Sequence, residues 1–332
     1  MRVPLALAKA LVPALAAGLL AACDEPADDG TVQVVTTVSP VTNIVQNVGG
    51  ELVTVTGIVP EGANSHTFEP APSDARAMAE ADVVFMNGLH LEEPTRELAE
   101  ANVADGVEIV ELGSMTIDPD EYIYDFSFPR EAGDPNPHLW TNPLYAKRYA
   151  EIVKDKLSEL DPDGADLYQQ NYEAFAERLD ELDAAVREAT DTVPPENRKL
   201  LTYHDSFPYF AREYGWDVIG AIQPSDFAEP TAQDVANLID QVRSEQVPAI
   251  FGSEVFPSPV LEQIAAETGA EYVNDLRDDD LPGENGDPDH SYVGLMVFDF
   301  HTFMSALGGD ASAFDGLNVE NLQPGVTVEY RS

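Results

Sequence analysis

Cysteine occurs once in the 332 residues, at Cys23, so the chain can form no intramolecular disulfide. Basic residues are scarce. Seventeen Lys and Arg stand against 61 Asp and Glu, giving a formal charge of −44 and a pI near 4.1. A polyanion of this charge is repelled by nucleic acid and by anionic lipid headgroups, which removes both as ligands. The usual catalytic signatures are missing too: there is no HExxH pair, no Gly-rich phosphate loop, no GxSxG elbow and no CxxC. The uncharged, largely apolar run over residues 10–22 is too short to cross a bilayer as a helix, and Pro13 and Gly18 interrupt it.

What is present begins with that run. Arg2 and Lys9 precede it, so residues 1–22 read as a signal peptide. It ends in Leu20-Ala21-Ala22-Cys23, which resembles the bacterial lipobox, where the cysteine is lipidated and becomes the mature N-terminus. The plainer alternative is an ordinary small-residue cleavage site beside a chance cysteine. On the lipobox reading the protein is extracytoplasmic, in the periplasm or at the cell surface, and anchored to the membrane through Cys23. Stable anchoring needs more than one acyl chain. Asp24 resembles the inner-membrane retention signal of Gram-negative lipoproteins. Cleavage leaves 15 basic residues and a charge of −46. Residues 23–30 are acidic and small, and read as a tether. The acidic balance itself reads first as a solvated surface suited to a salty habitat, and only second as a field that gathers cations.

With 44% hydrophobic residues the remainder can bury real cores. Strand-like runs rich in Val and Ile cover residues 32–38, 52–59, 83–86 and 107–112, with helical patterns over 41–48, 73–79 and 91–104 between them. A second set follows, with strands at 199–203, 218–222, 249–252 and 271–276 and helices at 207–214, 231–246, 259–268 and 291–307. Such alternation predicts an α/β fold of two (β/α) lobes with mostly parallel sheets. Between the sets, residues 166–190 hold no Gly or Pro. Tyr168, Tyr172, Phe175, Leu179, Leu182 and Val186 repeat there at steps of four and three. That predicts one long rigid helix bridging the lobes. The expected organisation is therefore a first lobe over 31–165, a linking helix over 166–190 and a second lobe over 191–332. Residues 113–136 show no periodicity and read as a long loop.

Six histidines carry the remaining chemistry, and three share a setting. His66 follows the strand ending near residue 59, and His204 sits where a strand gives way to a helix. Ligands in open parallel sheets collect at such carboxyl ends. His138 stands in Asn136-Pro137-His138-Leu139-Trp140-Thr141-Asn142-Pro143. Three imidazoles suit zinc, copper, iron or nickel. Singly, each is more often structural, and separations of 72 and 66 residues match no local metal motif.

The segments His66-Thr67-Phe68-Glu69-Pro70, Pro137-His138-Leu139-Trp140 and His204-Asp205-Ser206-Phe207-Pro208-Tyr209-Phe210 resemble the zinc- and manganese-binding solute-binding lipoproteins of ABC metal importers. Asn87-Gly88-Leu89-His90-Leu91-Glu92 and Glu229-Pro230 are similar to further landmarks of that family. The resemblance implies one metal ligand from each of His66, His138 and His204, and a fourth from a carboxylate near the end. In family register that carboxylate is Asp279, within Leu276-Arg277-Asp278-Asp279-Asp280-Leu281. An extended backbone after residue 276 would send Asp279 to one side and Asp278 and Asp280 to the other, as solvated surface acids, with Arg277 free to pair with one of them. The resemblance also implies a cleft site fed by two lobes, delivery to a permease, and a monomer without enzymatic activity.

Among the other histidines, His90 reads as packing near the cleft, and His290 and His301 as structural or exposed. Glu254 is placed to orient a ligand imidazole. Some zinc-specific relatives carry a His-rich loop before the second ligand. Residues 113–136 contain no His, so any gathering role there would rest on Asp118, Asp120, Glu121 and Asp125. Three imidazoles and a carboxylate can fill a tetrahedral shell, which favours capture over catalysis. The nitrogen-rich set favours Zn2+, with Mn2+ or iron as the alternative cargo. A zinc-dependent hydrolase and a surface adhesin are the readings from other classes.

Overall fold

The computed structural model describes residues 30–223, 230–253, 258–326 and 328–330. Cys23, the signal peptide, most of the tether, Glu229 and Glu254 fall outside them. Among the described residues no helix is long and apolar enough to cross a membrane.

Two separate parallel sheets form. The first holds β1 (Val32–Thr36), β2 (Val53–Gly57), β3 (Val83–Met86), β4 (Glu108–Glu111) and β9 (Glu329–Tyr330), in the order β4-β3-β1-β2-β9. The second holds β5 (Lys199–Thr202), β6 (Asp217–Ala221), β7 (Ala249–Ser253) and β8 (Glu271–Leu276), in the order β6-β5-β7-β8. Every residue of β3 and of β7 is buried, as expected of parallel strands covered on both faces. In each sheet the first strand in sequence lies inside, with later strands added on both sides. The loops that leave the sheet's carboxyl edge on either side of that switch enclose a crevice.

The covering helices are α1 (Ser39–Gly49), α2 (Asp74–Glu80), α3 (Glu93–Asn102), α4 (Leu112–Thr116) and α5 (Pro143–Leu160) in the first lobe. In the second they are α7 (Pro208–Tyr214), α8 (Ala232–Glu245), α9 (Pro259–Thr268) and α10 (Tyr292–Ala306). The linking helix α6 runs over Ala165–Thr192, two residues longer at its C-terminal end and one at its N-terminal end than the stripe predicts. Five of the six stripe residues are buried, and Tyr172 is half-buried beneath the Lys154 ammonium. Near its start Asn171 donates to the Val48 carbonyl of α1. Near its end Asp183 accepts from Tyr214, and Thr190 from the Trp216 indole. One helix therefore lines a single apolar core that runs through both lobes.

Two features depart from the sequence reading. Helix α5, packed lengthwise on α6, was not expected. Its buried stripe runs Ala146, Tyr149, Ala150, Val153 and Leu157, helical in period but partly built from Ala, which carries little hydrophobic signal. The second departure concerns the boundary at 191–332. The last residues leave the second lobe and return to the first, where β9 pairs with β2. On the way Asn321 accepts from Asn43 and Asn47, Leu322 donates to Asn47, and Gln46 donates to the Val326 carbonyl. This explains why α1 buries polar residues along its whole length: its amides are the partners of the returning chain.

Candidate metal centre

Each of the three histidines is set by a local device. After β2 the chain passes through an irregular loop in which Asn64 accepts from the backbone N–H of His66 at 2.9 Å, an Asx turn that fixes the imidazole's origin. His138 precedes a short 3-10 turn at Leu139–Thr141. Asn142 then caps α5 by accepting from Leu144 N at 3.0 Å, with Pro143 at the first helical position. His204 stands two residues beyond β5, and its carbonyl accepts from Thr202 Oγ1 at 2.6 Å. Pro208 opens α7 just beyond.

These devices bring the three Nε2 atoms together. His66 lies 3.2 Å from both His138 and His204, and His138 lies 2.9 Å from His204. The rings meet at 58–87° between planes, so they converge edge on and do not stack. His138 and His204 are buried and His66 is partly exposed. Phe128 packs against His66 and His138, and Trp140 against His138, so the centre is lined by apolar rings. Burial, reinforced by neighbouring imidazoles, holds the pKa values of His66 and His138 well below the ordinary imidazole value. Those two rings are neutral, as metal ligation requires.

Two outer side chains fix which nitrogen faces inward. The Asn136 amide nitrogen donates to the Asp205 carbonyl at 2.7 Å, which leaves its oxygen for His138 Nδ1 at 2.8 Å. His138 Nδ1 is then the protonated nitrogen, and the Nε2 lone pair points to the centre. Gln223 Oε1 plays the same part for His204 Nδ1 at 2.7 Å. A third group acts at longer range. The buried Glu92 carboxylate accepts from Thr37 at 2.7 Å and from Asn87 N at 2.8 Å, and burial pushes its pKa up to about 7. Asn87 in turn donates to the Pro137 carbonyl beside His138 and accepts from Tyr149.

The expected fourth ligand, Asp279, has a partner of its own in this structure. The three histidines form the ligand-competent cluster among the described residues, and Asp279 is not gathered into it. The Ser65 hydroxyl engages the Asp279 carboxylate, and burial raises its pKa well above the usual carboxylate value. The backbone beyond β8 is not extended. Asp278 has φ +52°, and Asp280 N donates to the Arg277 carbonyl, so residues 277–280 form a tight turn. Strand alternation therefore does not apply there. Asp278 and Asp280 are not solvated surface acids but buried ones. Asp278 accepts from the Ser206 hydroxyl at 2.7 Å, and the Gly62 amide donates to both oxygens of Asp280 at 2.9 and 3.0 Å. The Arg277 guanidinium donates to the Leu281 carbonyl.

A sequence profile described as "Zinc-uptake complex component A periplasmic" matches residues 34–306. The chain belongs to that family. Its members are metal-binding substrate proteins of ABC importers, not enzymes. Among curated relatives, the manganese-binding lipoprotein MntA of Halalkalibacterium halodurans is 32% identical over 299 residues, covering 90% of this chain and 96% of its own. The iron-binding protein YfeA of Yersinia pestis is 31% identical, covering 83% and 86%. Among solved structures, the periplasmic zinc-binding protein TroA from Treponema pallidum superposes with a TM-score of 0.76 at 28% identity, over 84% of this chain and all of that one.

Within this family frame the other sequence candidates sort plainly. His90 lies outside the cluster, exposed, 3.0 Å from Glu93; it shares with His66 and Phe128 the rim of a cleft of about 100 Å³. His290 is buried, with Nδ1 on the Pro282 carbonyl, and His301 is exposed. Asp118, Asp120 and Glu121 are exposed, while Asp125 turns inward against Asp205. Burial raises the pKa of both carboxyls, and repulsion from Asp205 adds to the rise at Asp125, which reaches about 9. The 113–136 segment, expected as loop throughout, opens with most of α4 and then wraps the site: Ser127 donates to Asp205 and to the Gln223 carbonyl. Asn136 and Gln223 were not singled out from sequence as parts of the site, and Asp125 only as a metal-gathering acid of the 113–136 segment. The only local signal was Asn136 two residues before His138.

Proposed function

We propose that this chain captures Zn2+ outside the cytoplasm, held to the membrane by a lipid on Cys23, and hands the ion to the permease of an ABC importer. The observation that carries the reading is the converging triad of Nε2 lone pairs. Tetrahedral zinc with Zn–N bonds of about 2.0–2.1 Å sets its nitrogens about 3.3–3.4 Å apart. The three separations of 2.9–3.2 Å need only slight spreading to accept it. Nitrogen donors also favour zinc over manganese, which suits oxygen-rich sites. The relatives' names include manganese and iron, so Mn2+ or iron is the competing cargo. Metal analysis of protein purified without added metal, followed by competition titration, tests it. Zinc at one equivalent, displacing manganese, is expected; manganese retained against equimolar zinc would overturn the choice.

Asp279 is proposed as the fourth ligand, reached by a small turn shift that exchanges Ser65 for the ion. Asp279→Asn should then weaken zinc binding by about tenfold or more, since even outer-shell changes cost roughly 10–100-fold. Competition titration of the variant decides it, and an unchanged affinity would leave the site with its histidines alone. Cys23→Ser should abolish incorporation of radioactive fatty acid while leaving the thermal melt unchanged, because the single cysteine of the chain has no disulfide partner to lose. Label retained on the Ser variant would end the lipoprotein reading.

A further inference from the structure

The turn at residues 277–280 touches all three histidine-bearing segments. On the His66 side, Ser65 engages Asp279, and the Gly62 amide is held by both carboxylate oxygens of Asp280. On the His138 side, the Trp140 indole donates to the Asp278 carbonyl at 3.2 Å. On the His204 side, Ser206 donates to the Asp278 carboxylate. The first two segments belong to the first lobe and the turn belongs to the second, so these bonds cross the cleft. Asp280 makes the crossing contact to the His66 loop that lies farthest from the metal centre in sequence, four residues before the ligand. Gly62 has φ +77°, with nothing within 4 Å of a built Cβ, so its conformation and not crowding selects glycine. The left-handed turn presents its N–H outward for capture by the buried carboxylate.

Resting on the metal-capture reading above, we infer that Asp280 is a positioning residue that latches the His66 loop across the cleft and so sets how slowly the metal leaves. His66 is the partly exposed ligand at the rim, and the ion cannot leave past the two buried imidazoles without its loop moving. The contact is a bifurcated hydrogen bond in a buried place, one backbone amide held by both oxygens of the carboxylate. Its loss should act on dissociation, where affinity differences among variants of one site mostly fall.

The test is stopped-flow release of Zn2+ from the loaded full chain into excess chelator. Asp280→Ala should release zinc about tenfold faster or more, with association changed much less, by analogy with the cost of removing groups that orient ligands. Asp280→Asn keeps an acceptor oxygen for Gly62 and should stay near the wild-type rate. If Asp280→Ala releases at the wild-type rate, the latch does not exist. If Asp280→Asn is as fast as Asp280→Ala, the carboxylate acts by its charge and the latch is again refuted. Should the Ala variant fail to fold, amide exchange at Gly62 in the wild-type chain decides: a protected amide is expected, and exchange at the rate of an open loop overturns the proposal. A wild-type chain that holds no zinc would instead remove the functional reading itself.

Discussion

Replacing His138 or His204 by Ala should abolish tight metal capture, with a loss well beyond the roughly 10–100-fold that outer partners cost when removed. Both imidazoles are buried, and both have Nδ1 committed to a side-chain amide, so no neighbour can swing in to replace them. His204→Ala also strands the Gln223 oxygen, whereas Asn136 Oδ1 keeps the backbone N–H of residue 138. His66→Ala should cost less, because its place opens on the cleft and water can occupy the vacant position. Competition titration ranks the three; a His138→Ala or His204→Ala variant that retained wild-type affinity would dismantle the site. The pH dependence follows from the same burial. His66 and His138 have pKa values depressed well below 6.5, so protons compete with metal only below the ordinary imidazole range. Affinity should hold from about pH 8 to near 6.5 and fall further down, and a decline already under way above about pH 7 would contradict the buried geometry.

Metal should raise the stability of the folded chain by about 4 kcal/mol at roughly a thousandfold excess over Kd, since the ion binds the folded state and not its separated ligands. The gain reaches the whole molecule because the ligands come from both lobes. His66 and His138 are carried by the first lobe and His204 by the second, and the lobes share one continuous apolar core, so an ion at the triad stabilises both together. Calorimetry with zinc and with a strong chelator checks this. A single transition moving upward is expected, and superimposable melts would leave the capture reading without support.

Most of the frame was legible because it rests on periodicity. The strands at 83–86 and 271–276 and the helix at 259–268 fall at their expected bounds, and the long helix extends its stripe by only a few residues. Valine-rich runs and a strict three-four repeat report burial directly. The three histidines were legible only through their surrounding motifs, since residues 72 and 66 apart meet through topology and not through spacing. The Asp278-Asp279-Asp280 run was misread because the strand was extended past residue 276. One residue at φ +52° ends the alternation, and nothing in three identical side chains announces it. Asn136 and Gln223 escaped for a related reason. An amide that orients an imidazole is defined by its partner, and Gln223 acquires its partner only when β6 lies beside β5. The returning tail was invisible because its pairing with β2 spans almost the whole chain.

That tail has a mechanical meaning. The backbone passes between the lobes twice, outward along α6 and back through the residues between α10 and β9, and the turn at Ala311–Phe314 lies against α6. Two bodies joined by one strand can swivel freely; joined by two neighbouring ones, they keep a single easy arc, like covers on a spine. Parting along that arc carries His66 and His138 together in one direction and His204 in the other. The same parting would draw Asp280 off the Gly62 amide, so the spine and the latch resist one movement.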